Sequence, residues 1–459
     1  MKKTIPTMFL ILAINLVNSQ CWRAVSTGGN HTIAVTSNGS LVAWGRNQTG
    51  QLGNGNATSL NVPTKIGVSV NWQKVSAGNS HSLSIKTNGT LWAWGRNSLG
   101  QLGNGTGGSG LFSNIPIQVG TDTNWSSIAA GDEYSTAIKV DGTLWAWGEN
   151  QYGQCGDGTT ITKNVPTQIG TDADWAIVSA GTNHTLAIKT NGTLWAWGYN
   201  NSGQLGDGTI ISKTTPIQIG TDNDWDSVVA RLFHSVALKT NGLLLTWGSN
   251  ANGQLGDGTL VDKNTPQNIS APNIFLKIAA GSQHTIAKTG DGSLSSWGGN
   301  LSGQMGDGTT ISKTNPTAIT STITTWTIIT SKISHSAGLK SDGNLYLWGS
   351  NIYGQVGDGT NTNKTIPTLI LCPTLSNEDF ADFDNNFKIY PNPTNSFLNI
   401  ENIDNEIVKK ISINNILGET ILEKSQNTAL INVENLQNGI YFITIYTEDK
   451  NFQTKFIKN

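Results

Sequence analysis

Charged side chains are scarce. Asp, Glu, Lys and Arg make up 13% of 459 residues and sum to a net charge of −2. A chain so close to neutral offers no net attraction to nucleic acid or to an anionic membrane, so neither is expected as a partner. Long apolar runs are equally scarce. The one run of note, Met8–Val17, sits inside MKKTIPTMFLILAINLVNSQ and is too short to span a bilayer. With Lys2-Lys3 before it and small polar residues after it, residues 1–20 read as a secretory signal peptide, with cleavage near Gln20–Cys21. Acylation of Cys21 is the weaker alternative, because Asn18, Ser19 and Gln20 make a poor lead-in. The mature chain is therefore expected to be exported, with no transmembrane segment. Catalytic signatures are missing as well. There is no G-x-S-x-G, no phosphate loop, no metal-type histidine pair, and no pair of carboxylates distinct from turn acids. No cofactor and no metal are expected.

Glycine and tryptophan are what the sequence has in abundance, 53 and 16 residues. With so little charge, they point to short strands and tight turns rather than helices. Their spacing is regular. Trp-Gly recurs at Trp44, Trp94, Trp147, Trp197, Trp247, Trp297 and Trp348, and N-x-x-G-Q-x-G-[DN]-G follows each time. Asn-Gly or Asp-Gly precedes each one, from Asn38 to Asp342. These dipeptides favour the positive φ angles of type I′ turns, whose twist suits a two-stranded hairpin. The flanking runs, such as HTLAIKT and TLWAWG, alternate in polarity as half-buried strands do. Two further short segments complete about four strands per repeat. A four-stranded unit cannot bury both faces alone, and seven such units can close into a ring. The fold class is all-β: a seven-bladed β-propeller over residues 21–373, a linker over 374–386, and a small β-sandwich over 387–459.

The repeat G-x-x-H-[ST]…[DN]-G-x-[LV]…W-G-x-N-x-x-G-Q-[LM]-G resembles that of the RCC1 (regulator of chromosome condensation) family, in all seven units from about Trp22 to Pro373. The resemblance implies the same propeller but no single activity. Its exchange-factor members carry an added β-wedge, whereas here the only excess is about three residues in TGGSGLF. Its photoreceptor members carry a Trp between the repeat Gly and His, whereas here those positions hold pairs such as Gly29-Asn30 and Thr182-Asn183. Both activities are set aside.

The six histidines share one phase, at His31, His81, His184, His234, His284 and His335, and Tyr134 takes that place in the third repeat. A propeller spreads equivalent residues around a ring, too far apart for one metal. They are read as scaffold residues that hydrogen-bond backbone groups near their turns. Trp22, Trp72, Trp125, Trp175, Trp225 and Trp326, with Phe275 in the sixth repeat, are read as packing between blades. Each GDG aspartate is expected to cap its own turn rather than bind calcium. Two lysine ladders are read as rim charges that block edge pairing: Lys163, Lys213, Lys263, Lys313 and Lys364, and Lys86, Lys139, Lys189, Lys239 and Lys340. Cys155 replaces a leucine and is expected to be buried. Cys21 and Cys372 flank the repeats, and ring closure in an oxidising compartment would let them pair.

The tail, with YPNP at Tyr390–Pro393, a central NILGE and L-x-x-G-x-Y near Tyr441, resembles the C-terminal sorting domain of the Bacteroidetes type IX (Por) secretion system. That resemblance implies passage across the outer membrane, and release or anchoring at the surface. The candidate interface lies where the repeats disagree, in the loop between Gly and His. The fifth repeat has Arg231, Leu232 and Phe233, the seventh Lys332 and Ile333, and the third Asp132, Glu133 and Tyr134. Apolar and Arg residues at such a turn suggest a contact with a partner. The reading is an exported, non-enzymatic module that binds a cell-surface or extracellular protein or glycan. The alternatives are a secreted hydrolase or lyase with a pocket on the propeller face, and a glycan-binding adhesin.

Overall fold

The computed structural model describes residues 21–269, 274–319, 325–373, 387–402, 407–415, 420–425, 429–447 and 451–459. The expected signal peptide and linker, and residues 416–419 of the NILGE motif, lie outside them. The chain divides into two compact units between Cys372 and Pro373.

Seven four-stranded antiparallel sheets make up the first unit, each strand pairing with its sequence neighbour. Blade 1 consists of Trp22–Thr27, His31–Thr36, Leu41–Gly45 and Leu60–Lys65. Blades 2 to 7 span residues 72–118, 125–168, 175–218, 225–268, 275–318 and 326–370. The first strands of successive blades touch one another, and that of blade 7 touches that of blade 1, so these strands line the axis and the ring is closed. The second strands, read as half-buried from their alternation, are instead buried on both faces, because each blade is covered by a neighbour on either side, while the fourth strands remain half exposed.

Each blade buries its apolar side chains against the next. Seven hydrophobic clusters result, one per interface, exemplified by Leu186, Ile188 and Leu194 of blade 4 against Trp225, Val228 and Trp247 of blade 5. Among the described residues, each blade is built from consecutive strands, with none exchanged between the two ends of the ring. Closure rests on the same packing, with Trp22 and Trp44 against Leu339, Leu345 and Leu347, and on a disulfide joining Cys21 to Cys372 (Cα–Cα 6.0 Å). Cys155 is buried.

The scaffold histidines differ from expectation in what they bond. Their own hairpin ends are already satisfied, for example by Gly28 N donating to the His31 carbonyl (2.7 Å). The ring instead crosses to the next blade. His31 Nε2 meets Ser82 Oγ at 2.9 Å, His184 meets Ser235 at 3.0 Å, and His335 closes the circle on Thr32 at 3.1 Å. Each of these hydroxyls donates its hydrogen to the backbone carbonyl of the repeat glutamine, as Ser82 Oγ does to Gln51 O at 2.9 Å. The hydroxyl can then only accept from the imidazole, which fixes the Nε2–H tautomer and leaves Nδ1 as a bare lone pair without a partner. The same glutamine carbonyl accepts the Trp-Gly indole, as from Trp94 Nε1 at 2.9 Å. In blade 3 the Tyr134 hydroxyl makes the crossing, to His184 O and Thr185 Oγ1. In the five blades that carry a glycine three residues before the ring, a Cβ there would lie 2.1–2.9 Å from the ring atoms, so that form of the hairpin admits only glycine.

Both lysine ladders also differ from solvent-facing rim charges. Lys163, Lys213 and Lys263 pair with the GDG aspartates Asp157, Asp207 and Asp257 at 2.7, 3.4 and 3.5 Å. Each aspartate also accepts from the backbone two residues on, as Thr159 N does at 3.1 Å. In the second ladder Lys86, Lys139 and Lys189 are buried, with the ammonium over two indole rings at 3.9–4.9 Å. The aromatic faces attract the cation, and the alkyl stems fill the gap between the rings.

The second unit has a three-stranded sheet (Phe387–Tyr390, Phe397–Asn402, Leu430–Asn432) and a four-stranded one (Thr420–Lys424, Lys410–Asn415, Gly439–Tyr446, Asn451–Lys458). Phe387, Leu398 and Ile431 of the first sheet share one core with Ile411, Ile443, Phe452 and Phe456 of the second, making a small sandwich.

Candidate interaction face

The Gly-x-x-His hairpins lie beside the segments that follow each Trp-Gly. Arg46 N donates to Asn30 O, Tyr199 N to Asn183 O, and Ser249 N to Phe233 O, all at 2.7–2.8 Å. These two sets of loops therefore share one face of the ring, while the Asn-Gly and Asp-Gly turns lie at the opposite ends of the same strands.

Both candidate cations are committed to the centre of this face. Arg231 and Lys332 stand where most repeats carry the hairpin glycine, at the axial ends of their first strands. Arg231 Nε donates to Ala280 O (3.0 Å) and Ser331 O (3.1 Å), and Nη1 donates to Ala180 O (3.1 Å) and Ala230 O (2.9 Å). Lys332 Nζ donates to Ala77 O (3.2 Å), Ala130 O (2.7 Å) and Gly131 O (2.9 Å), and lies 3.8 Å from Asp132 Oδ1. Together they gather carbonyls from six of the seven blades into a plug. Inner strands end with carbonyls aimed at the axis, and cations are the donors able to satisfy several at once. Lys332 is 2% exposed, and burial brings its ammonium pKa down to about 7. Burial also lowers Arg231, against the pull of Asp132. Tyr134 is buried as well. Lys332 and Tyr134 thus differ from side chains offered to solvent. An open pocket of about 270 Å³ lies against the first strands of blades 5, 6 and 7, with both polar (Asp226, Lys277, Thr327) and apolar (Val228, Ile278, Ile329) side chains in its lining.

The remaining candidates stay half-buried around the plug. Replacing glycine by Arg231 lengthens the blade 5 hairpin, so that Arg231 pairs with His234 and only Leu232 and Phe233 make the turn. A two-residue turn calls for positive φ at its first position. Leu232 has φ +24°, the one non-glycine positive φ among the described residues, and a branched side chain there is strained. The Phe233 ring meets Tyr199 at 5.7 Å, and Tyr199 meets Tyr152 at 4.7 Å. An aromatic row so runs across blades 3, 4 and 5. Beside it stands an acidic group. Glu133 accepts from Arg96 Nη1 at 3.1 Å and from Gln101 Nε2. Burial raises its pKa to about 7, with Asp132 and Glu149 adding to the rise and Arg96 opposing it. Glu149 is raised by burial too. Asp132 accepts from Thr182 Oγ1 at 2.9 Å, and Ile333 contributes its carbonyl to Ser282 N at 3.0 Å. The structure brings Asp132 to Lys332 and leaves Phe233 with aromatic neighbours that the loop pattern did not single out. Tyr199, Arg96 and Glu149 occupy the variable position after Trp-Gly, where the same repeat-against-repeat comparison could have found them. Among the described residues, no three His, Cys, Asp or Glu side chains gather as a metal site, and no helix is long and apolar enough to cross a membrane.

Comparison with known proteins follows the two units. The RCC1-like domain model matches residues 3–274 and 172–389, and the secretion system C-terminal sorting domain model matches residues 388–459. The ultraviolet-B receptor UVR8 of Arabidopsis thaliana is 32% identical over 134 residues, which is 29% of this chain and 30% of the receptor. Ulvan lyase NLR42 of Nonlabens ulvanivorans is 37% identical over 75 residues, 16% of this chain and 14% of the lyase. The chain thus spans less than a third of either relative. Among solved structures, human WBSCR16 superposes with a TM-score of 0.66 at 21% identity, covering 73% of this chain and 94% of that one. Yeast RCC1 (Prp20), solved bound to Kap60, gives 0.66 at 19% identity, covering 85% and 92%. At such identities the likeness is one of fold.

Proposed function

From a chain that belongs to the RCC1-like domain family and ends in a secretion-system sorting domain, we propose an exported, non-enzymatic propeller that binds a protein partner outside the cell. The sorting domain implies recognition by the type IX secretion machinery and delivery to the surface or the medium. The observation that carries the binding role is the aromatic row Phe233–Tyr199–Tyr152 beside a strained Leu232. The repeat does not call for them: other blades turn through pairs such as Gly29-Asn30 and Thr182-Asn183 where blade 5 has Leu232-Phe233, Ser249 and Gly299 stand where Tyr199 does, and Ser202 and Ser302 stand where Tyr152 does. Half-buried aromatics held rigid by their neighbours lose little entropy on contact and are frequent anchors of interfaces. Glu133 and Glu149 beside them suit a partner segment that presents an apolar side chain next to a cation.

Capture from a cell-surface extract tests this. The wild-type chain and a Phe233→Ala/Tyr199→Ala variant are compared with a Val140→Ala control, in which an exposed residue at the opposite strand ends is changed. Loss of retained proteins in the double variant alone is the expected result. Retention of the same set by all three would reject the site.

A further inference from the structure

Three blades clasp a lysine against a first-strand Trp, two of them with a second indole as well, and then neutralise it. In blade 3, Lys139 lies 4.8 and 3.9 Å from the rings of Trp125 and Trp145, and its ammonium pairs with Asp122 at 2.7 Å. In blade 4, Lys189 lies over Trp175 and Trp195 and pairs with Asp172 at 2.6 Å. In blade 5, Lys239 lies over Trp225 and pairs with Asp222 at 2.7 Å. One carboxylate comes from the same place each time, the residue third before the Trp in the loop preceding the first strand; in blades 4 and 5 the residue just before the Trp, Asp174 or Asp224, pairs with the lysine as well, at 3.0 and 2.9 Å. The shared carboxylate sits at the surface, with side-chain exposures of 52, 54 and 56%.

Blade 2 builds the clasp and omits the carboxylate. Lys86 lies 4.5 and 4.0 Å from Trp72 and Trp92, and those rings meet at 5.6 Å, close to the 5.9 and 5.8 Å of the blade 3 and blade 4 pairs. The aligned loops read IGVSVNW (Ile66–Trp72) and VGTDTNW (Val119–Trp125), so Ser69 stands where Asp122 does. Among the described residues no carboxylate pairs with Lys86, and burial lowers its pKa with no acidic group opposing the shift. Around this gap the loop is also more apolar. Val68 and Val70, 52 and 53% exposed, replace the Thr121 and Thr123 of blade 3.

We infer that the Lys86 clasp is a seat for a carboxylate supplied by another molecule, a peptide segment with Asp or Glu beside an apolar residue. The chemistry is read from the molecule's own three examples, in which an aspartate side chain on a short loop occupies the equivalent seat. Charge complementarity fills a site that two indoles have already desolvated, and Val68 and Val70 offer apolar contact on either side of Ser69. This site lies at the Asn-Gly turn end of the strands, away from the aromatic row. Its success or failure is therefore independent of the proposed interaction face.

The full chain, labelled with ¹⁵N on its tryptophan indoles, is titrated with acetyl-Val-Asp-Val-amide and with the Asn analogue while the Trp92 indole resonance is followed. The Asp peptide is expected to shift that resonance saturably, and the Asn analogue to bind about tenfold more weakly. Ser69→Asp, which installs the carboxylate of the sister blades, should abolish the response, whereas Ser69→Asn should keep it. Lys86→Met should also abolish it, and Ser69→Asp keeps the test valid if that variant fails to fold. No shift with the Asp peptide up to about 20 mM, equal response to both peptides, or an undiminished response in Ser69→Asp would overturn the inference.

Discussion

Lys332 Nζ, from blade 7, donates to the Ala130 carbonyl at 2.7 Å, three blades away around the ring and 202 residues away in sequence. With Arg231 it holds the inner strands at one end of the axis. Replacing the ammonium by the near-isosteric side chain in Lys332→Met leaves the carbonyls of Ala77, Ala130 and Gly131 without this donor. A loss of about 2–4 kcal/mol of stability is expected, read as a lower melting temperature of the propeller. An unchanged melting temperature would mean that the plug is ornamental.

Acid should loosen the ring through its histidines. Burial holds His31, His184, His234, His284 and His335 at about 3, and His81 well below its ordinary 6.5. Between these values the unfolded chain binds more protons than the native one, so stability is complete above pH 6.5 and falls as pH drops toward 3. Each histidine contributes a slope of up to about 1.4 kcal/mol per pH unit. Melting temperatures measured from pH 7.5 to 4.5 should therefore decline steeply below 6.5, and a flat profile would contradict histidines that stay neutral in the folded ring.

Breaking a single inter-blade crossing should be felt locally. Ser235→Ala removes the acceptor of the His184 imidazole and one of the donors to Gln204 O. About 1–3 kcal/mol should be lost, because a buried N–H is left unsatisfied. Faster amide exchange confined to blades 4 and 5 would locate the effect.

The Cys21–Cys372 disulfide joins the two ends of the ring and closes a loop of 351 residues. Its reduction constrains the unfolded state less and is expected to cost about 2–5 kcal/mol. Cys372→Ser should reproduce the effect of reductant on the melting temperature, and reductant should have no further effect on that variant.

Much of this architecture is legible because it is written seven times. One copy of H-[ST]…D-G…W-G-x-N-x-x-G-Q would be ambiguous, but repetition exposes strand lengths, turns and closure. Contacts between copies are harder to read. The partner of His31 is Ser82, the residue after the next histidine, and nothing within one repeat says that the imidazole reaches sideways. The second lysine ladder reads as solvated for a similar reason, since its tryptophan partners converge on it only through strand pairing. At Arg231 and Lys332 the departure from glycine is plain in the sequence, but its direction is not. Whether a hairpin-tip side chain meets solvent or the axis depends on the tilt of the blade, which residue pattern does not encode.

The most direct test of the account places a photo-crosslinking phenylalanine analogue at Phe233 and, in a second chain, at Asn30, the equivalent hairpin position in blade 1. Both are exposed to cell-surface extract under light. Discrete adducts from position 233, and none from position 30, are the predicted result. Adducts of equal yield from both positions, or from position 30 alone, would contradict a binding face centred on blades 3 to 5.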